Sequence, residues 1–179
     1  MSNDTLNQPL PQSGVPNLYP IAVRFGFIAG FIGVLTSLIL YFSNQEYTSI
    51  LKWLPVIFML VIIIGGQQQI VKANSNYQIS FGTLFKAGVI ITLITAIFMV
   101  VYFIIYANFI EPNFVDKILD ISKLEMAKKG LSEEQTESAI EMSKKFMSPV
   151  FMAIMSFISN SVMGTLASLI GAAIFKNEK

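Results

Sequence analysis

Long hydrophobic runs, separated by shorter polar segments, dominate the chain. Four runs are long enough to cross a membrane as helices, because a helix rises about 1.5 Å per residue and the hydrocarbon layer is about 30 Å thick. They extend over residues 25–42, 53–70, 85–110 and 149–175. The first contains no charged residue, and the third and fourth contain no carboxylate. This pattern predicts an all-α integral membrane four-helix bundle.

The segment between the third and fourth spans has the opposite character. Residues 111–147 hold fourteen of the chain's 23 charged residues, as six lysines and eight carboxylates. Pro112 is typical of a helix start, Gly130 of a helix end, and Ser132 with Gln135 of a capping box. The segment therefore predicts an extramembrane charged helical hairpin between spans three and four.

This hairpin carries apolar residues at helical spacing. They are Phe114, Ile118, Ile121 and Leu124 in the first helix and Ala139, Met142 and Phe146 in the second. Such stripes commonly pack on each other or on the membrane surface, and the alternative is a docking face for another protein. The pattern alone leaves both interpretations open.

The segment boundaries divide the chain into four parts. Residues 1–20 hold four of the seven prolines, among Asn and Gln residues, and predict a disordered tail. Residues 21–110 contain spans one to three, and residues 111–148 form the charged hairpin. Residues 149–179 contain span four and a short basic tail.

Small residues recur at helical spacing in the first and fourth spans. One row is formed by Gly26, Gly30, Gly33 and Ser37, and the other by Asn160, Gly164, Ala167 and Gly171. Helices in lipid gain little from burying leucine, and they associate where small residues let two backbones approach. We therefore expect both rows to be helix contacts inside one bundle. The alternative is a homo-oligomer joined through one of these faces.

The second span ends in an unusual polar cluster. Gln67, Gln68 and Gln69 follow two glycines, which loosen a helix. One interpretation is a helix end that emerges into water near Gln67. The alternative is a kinked span whose amides line a polar cavity or bond across to Asn160 and Thr92.

Basic residues near the span ends set the expected orientation. Arg24, Lys72, Lys86 and Lys176 lie on the side that four spans give to both termini. The positive-inside rule weighs basic residues in short loops, which places both termini in the cytoplasm and the hairpin outside. The same four residues are the candidates for contact with anionic lipid head groups.

The amino-acid composition excludes several classes of function. The chain has no cysteine and no histidine, which excludes disulfides, thiolate or histidine metal sites and Ser-His-Asp catalysis. A net charge of +1 gives no reason to expect a nucleic-acid partner. Glu111, Asp116 and Asp120 are at helical spacing, but carboxylates in a charged run are usually a solvated face. We therefore expect no catalytic residues, no metal and no cofactor.

Two hypotheses of different classes follow. The first is a non-catalytic membrane subunit or scaffold that presents residues 111–147 to a protein partner, because charge and amphipathic pattern are concentrated there. The second is a small transporter or channel component whose polar path is lined by the amides of Gln67, Gln68, Gln69 and Asn160. The second hypothesis requires these amides to face one cavity.

Sequence motifs add a family resemblance. Residues 79–88 read ISFGTLFKAG at the entry to the third span, and the last span ends in GAAIFK. Together with the glycine-rich first span and the charged segment after Glu111, these motifs resemble a family of uncharacterised four-span inner-membrane proteins widespread in Bacteroidota. The resemblance covers about residues 20 to 177. It implies an integral membrane protein and brings no assigned activity and no catalytic residues.

Overall fold

The computed structural model describes residues 17–44 and 50–176, and within these ranges the chain forms helices and turns without a β-strand. Six α-helices follow one another: α1 (Leu18–Phe42), α2 (Leu54–Ala73), α3 (Phe81–Ile105), α4 (Phe114–Lys128), α5 (Glu133–Phe146) and α6 (Pro149–Phe175). A 3₁₀ turn (Ile50–Trp53) leads into α2, and a π-helical turn (Tyr106–Ile110) extends α3.

Four helical segments are long and apolar enough to cross a membrane, which confirms the predicted spans. They are Leu18–Phe42, Ile50–Ala73, Phe81–Ile110 and Pro149–Phe175. Each exposes large hydrophobic side chains, such as Phe31 on α1, Val61 on α2, Ile97 on α3 and Ile174 on α6. A water-soluble bundle would bury these side chains, whereas lipid solvates them. The fold is therefore an all-α bundle of membrane helices.

Helix α1 begins earlier than the proline-rich composition suggested. Leu18, Tyr19 and Pro20 are helical, so the boundary of the predicted tail moves from residue 20 to before Leu18. Leu18 is buried in the same core cluster as Ala22. Pro20 costs little there, because amides in the first turn of a helix have no carbonyl partner within the helix. Residues 1–16 of that tail lie outside the described residues.

Helix α3 is the central helix of the bundle. It packs along α1 and α6, and α2 packs on the same two helices with a smaller contact to α3. Helices α1 and α6 therefore lie at opposite corners. All four spans contribute to the main core, for example through Ala22, Ile63, Ile91 and Ala167.

The spans alternate in direction, which gives the bundle two distinct ends. Gly88 and Thr92 of α3 meet Ser168 and Gly164 of α6 in that order, so these two helices are antiparallel. One end of the bundle holds the start of α1 and the end of α6, and we call it the terminal end. The other end adjoins α4 and α5, and we call it the hairpin end.

Helices α4 and α5 occupy the charged segment and pack on each other. The predicted capping box is present, since Ser132 N donates to Gln135 Oε1 (3.1 Å) and Gln135 N donates to Ser132 Oγ (3.3 Å). Gly130 follows α4 with a φ of 79°, which favours glycine. The start of α4 differs from the prediction. Pro112 lies in the turn before the helix, which begins at Phe114.

The predicted apolar stripes of the hairpin are buried only in part: Phe114 is buried, and Ile118, Ile121 and Ala139 are half-buried. Leu119 of α4 and Ile140 of α5 are buried. Leu124 and Met142 are each 63% exposed and Phe146 is 56% exposed, although all three belong to the predicted stripes. Leu119 and Ile140 each directly follow a predicted stripe residue. Each helix therefore carries two overlapping stripes, and sequence spacing does not decide which one faces the neighbouring helix.

Candidate functional site

The small-residue row of α1 is packed against α3. A Cβ atom added to Gly26, Gly30 or Gly33 would approach Ile94, Phe98 or Met99, respectively, to 3.0 Å or less. Ser37, the last residue of the row, is half-buried and donates to Gly33 O (2.9 Å) within α1. The missing side chains let α1 and α3 approach closely.

The row of α6 faces α2 and α3. Thr92 of α3 fills the space at Gly164, and the amide of Gln67 fills the space at Gly171, so a Cβ atom at either glycine would overlap its neighbour. Ala167 is buried between them. The glycines of both rows are therefore helix contacts within one chain, and a homo-oligomer stays a prediction.

Gln67 joins three helices. It is fully buried, and its Nε2 donates to Leu84 O of α3 (3.0 Å) and to Ser168 O of α6 (2.8 Å). These two carbonyls fix the orientation of the amide, because its oxygen in the same place would face two acceptors. Oε1 lies against Gly171 and has no hydrogen-bond partner among the described residues. Gln67 therefore links α2, α3 and α6 through two buried hydrogen bonds, and we call this link the Gln67 clasp.

The other amides of the predicted polar cavity point elsewhere. Gln68 and Gln69 are exposed, and half-buried Asn160 donates to a carbonyl of its own helix (2.8 Å). Helix α2 also continues through the glutamines to Ala73, so the helix does not end near Gln67. Consecutive residues of a helix are about 100° apart around its axis, and three adjacent glutamines cannot share one face. The predicted shared cavity is therefore not formed.

The four basic residues expected at lipid head groups lie at the terminal end of the bundle. Arg24, Lys72, Lys86 and Lys176 are all exposed. Their long side chains can extend toward a head-group layer from the ends of the spans. Neither of the two cavities described below is lined by these four residues. Their contact with anionic lipids therefore stays a prediction.

Acidic residues of the hairpin approach lysines. Glu111 forms an ion pair with Lys117, and Asp120 Oδ1 lies 3.9 Å from Lys123 Nζ. Within residues 17–44 and 50–176, no three His, Cys, Asp or Glu side chains are grouped so as to hold a metal ion. Glu111, Asp116 and Asp120 therefore do not form a shared site in this part of the chain.

Aromatic rings anchor the base of the hairpin. Phe114 is buried, and its ring centroid lies 5.4 Å from that of Phe103 and 5.9 Å from that of Tyr106, both edge-on. Tyr41 packs edge-on against Tyr106 at 5.6 Å, and its hydroxyl donates to Ile110 O (3.3 Å). Each such ring pair contributes about 0.5–1.5 kcal/mol beyond area burial. Helix α4 is thereby fixed to α1 and α3 at its first residue.

A cavity of about 280 Å³ adjoins this aromatic cluster at the hairpin end, and we call it the interfacial cavity. Tyr102, Tyr106 and Phe114 contribute rings to its wall, and most of its other residues are apolar. Ser37 and Lys52 provide polar groups. Lys52 belongs to the 3₁₀ turn before α2 and is exposed. The cavity is therefore an apolar space with a cation at its edge.

A larger apolar groove of about 570 Å³ lies between α3 and α6. Its walls include Ile97 and Val101 on α3 and Ile154 on α6, and its one amide is Asn108 of the π-helical turn. Asn108 donates to Ile104 O (2.7 Å). Lipid chains of any kind can fill such a groove, since none of its described lining residues is charged.

Sequence reasoning missed the interfacial cavity. Tyrosine and tryptophan are common near span ends in any membrane protein, so their positions alone do not indicate a cavity. The available signal was the spacing of Tyr102 and Tyr106, which puts two rings on one face of a helix opposite Lys52 of the preceding span. The contribution of Phe114 could not be read from spacing, because a turn separates it from α3.

Comparison with known proteins identifies a family for this chain but assigns no activity to it. No curated protein and no solved structure matches the chain. A family model described as a protein of unknown function, DUF4199, matches residues 24–177. That range takes in α2 to α6 and most of α1, and thus the bundle, the hairpin and both cavities. The chain therefore belongs to the DUF4199 family.

Proposed function

We propose that this protein is a non-catalytic integral membrane subunit that presents the α4–α5 hairpin to a partner protein. The observation that carries the proposal is the exposure of apolar side chains on a charged hairpin, where Leu124 and Met142 are each 63% exposed. Large apolar side chains that stay exposed on a charged, extramembrane helix pair are candidates for a protein contact surface. Met142 is also flexible and polarisable, which suits an adaptable interface.

The way the hairpin is attached supports this proposal. Helices α4 and α5 pack chiefly on each other, while Phe114 holds the start of α4 in the aromatic cluster. The hairpin is therefore held at its base and leaves its far surface open. A transport role has no comparable support, because the amides that would line a polar path are either bonded in place or exposed.

The proposal includes an orientation, with both termini in the cytoplasm of a bacterial inner membrane. The chain has no cysteine, so Leu124→Cys and Ser75→Cys each provide a unique label on opposite sides. We expect a membrane-impermeant maleimide to label Leu124→Cys in spheroplasts and Ser75→Cys only after permeabilisation. The reverse pattern would invert the orientation, and equal labelling of both in sealed spheroplasts would contradict the four-span topology.

Photocrosslinking in native membranes tests the partner itself. A photoreactive maleimide on Leu124→Cys or Met142→Cys should capture the same defined protein from both positions. Glu137→Cys is the matched control, since it is exposed on α5 five residues from Met142 and thus on a different face. Met142→Lys should weaken co-purification of the captured protein by about tenfold, because a charge would be buried in the contact.

Two outcomes of that experiment contradict the proposal. One is capture of only lipid or further copies of this chain from positions 124 and 142. The other is an identical set of captured proteins from position 137, which would show that the hairpin surface is contacted without selectivity.

A further inference from the structure

We propose that the interfacial cavity binds a lipid that has an anionic head group. The head group contacts the Lys52 ammonium, and the adjoining part of one acyl chain lies inside the cavity. This site lies beside the base of the hairpin and does not depend on whether the hairpin has a protein partner.

The interior of the cavity requires an apolar occupant. Rings of Tyr102, Phe103, Tyr106 and Phe114 and the side chain of Met152 form much of its wall. Its volume of about 280 Å³ is close to the lower end of small-molecule sites, which is about 300 Å³. At about 30 Å³ per water-sized group, the space holds a short segment of hydrocarbon chain. A small hydrophilic ion would leave this apolar wall uncovered.

The positive charge of Lys52 at the cavity edge favours an anionic ligand. Lys52 is exposed, and the ion pairs found in the described residues do not include it. Among the described residues that line the cavity, none is a carboxylate. The hydroxyl of Ser37 already donates its hydrogen to Gly33 O (2.9 Å). Among the described lining residues, Lys52 is the one that carries a charge and can donate to a head group. An ammonium with no carboxylate beside it favours a carboxylate or phosphate ligand.

The position of the cavity favours a lipid over a free anion. Lys52 and Trp53 directly precede α2, at the edge of a span that can cross the membrane. This edge is the level at which lipid head groups lie and acyl chains begin. A lipid therefore presents its anion and its apolar part to the site together.

The only tryptophan of the chain, Trp53, makes the proposal testable. It is next to Lys52, and bromine quenches tryptophan fluorescence at short range. The protein, in a neutral detergent, is titrated with bromodecanoate, and the uncharged methyl ester of bromodecanoate serves as a parallel probe. We expect quenching by bromodecanoate to reach saturation, and quenching by the ester to be weaker and to show no saturation.

Three lysine variants separate binding from simple partition into the micelle. Lys52→Gln should raise the half-saturating concentration of bromodecanoate about tenfold or more, since it removes the hydrogen bond between a charged donor and a charged acceptor. Lys52→Arg should retain binding, because it keeps the charge. Lys86→Gln is the matched control at the terminal end and should bind like the unaltered protein. Both positions, 52 and 86, are exposed, so folding is not at risk.

A fourth variant tests the cavity without altering Lys52. Ser37→Phe places a ring in the cavity and should abolish saturable quenching, with folding checked by circular dichroism and gel filtration. If Ser37→Phe does not fold, the lysine series decides alone. Unsaturated quenching, or the same half-saturation in Lys52→Gln and Lys86→Gln, would overturn the proposal. Displacement of bromodecanoate by equimolar inorganic phosphate would also overturn it in favour of a free-anion site.

Discussion

Replacing Gly164 with leucine is expected to prevent α6 from packing on α3. Even a Cβ atom at position 164 would overlap the side chain of Thr92, whose Cβ would lie 2.9 Å away. Thr92 cannot move aside easily, because it is β-branched and its hydroxyl donates to Gly88 O (2.9 Å). Overpacking by a few methylene groups costs about 1–3 kcal/mol, and a whole leucine side chain in this contact should cost about 3 kcal/mol or more.

The measurement is the thermal unfolding midpoint and the gel-filtration profile of the purified protein in detergent. Gly82→Leu is the matched control, because nothing lies within 4 Å of a Cβ atom there and Gly82 is in the first turn of α3. We expect Gly82→Leu to elute and unfold like the unaltered protein, and Gly164→Leu to aggregate or lose its transition. Equal midpoints for the two variants would show that α3 and α6 do not pack through Gly164.

Replacing Gln67 with glutamate is the second change with a large expected effect. The amide Nε2 is the donor to Leu84 O and Ser168 O, and a carboxylate would offer both carbonyls only oxygen. A buried charge without a partner costs several kcal/mol, and an acidic side chain deep in a membrane helix costs about 3 kcal/mol by insertion scales. We expect Gln67→Glu to lower the free energy of unfolding by at least about 3 kcal/mol.

The neighbouring residue provides the control. Gln68→Glu introduces the same charge one position along the same helix, but Gln68 is exposed. We therefore expect a small change in denaturant midpoint for Gln68→Glu and a large one, or no folded protein, for Gln67→Glu. If both variants unfold alike, then Gln67 is not the clasp between α2, α3 and α6.

The spans could be predicted because length and hydropathy are properties of each segment by itself. A hydrophobic run such as residues 149–175 can be recognised without knowledge of tertiary contacts. Helix α6 has those bounds in the structure. The capping box of Ser132 and Gln135 was also predictable, since its two bonds join residues three apart. Local signals therefore gave the elements and most of their ends.

Features that depend on the angle around a helix were harder to predict. Gln67 and Gln68 differ by one position, yet one is fully buried and the other is exposed. In the same way, Ile140 rather than the adjacent Ala139 is the buried residue of α5. Sequence spacing gives a face to within about one residue, and one residue is about 100°.

The candidate site was harder still, because its wall comes from parts of the chain that are far apart. The interfacial cavity combines Ser37 of α1, Lys52 before α2, Tyr106 after α3 and Phe114 of α4. No motif links these positions in the sequence. Only the packing of the spans and the aromatic anchoring of α4 bring them together.

The clasp at Gln67 also has a consequence for biosynthesis. One of its two acceptors, Ser168 O, is on α6, and 38 residues separate the end of the third span from the start of α6. At about 5–20 residues per second, the ribosome needs roughly 2 to 8 s to make that stretch. During this time the nascent chain has three spans, and Gly88, Thr92 and the Gln67 amide lack their contacts with α6. We therefore expect this strip to lack its α6 contacts until the last helix is inserted.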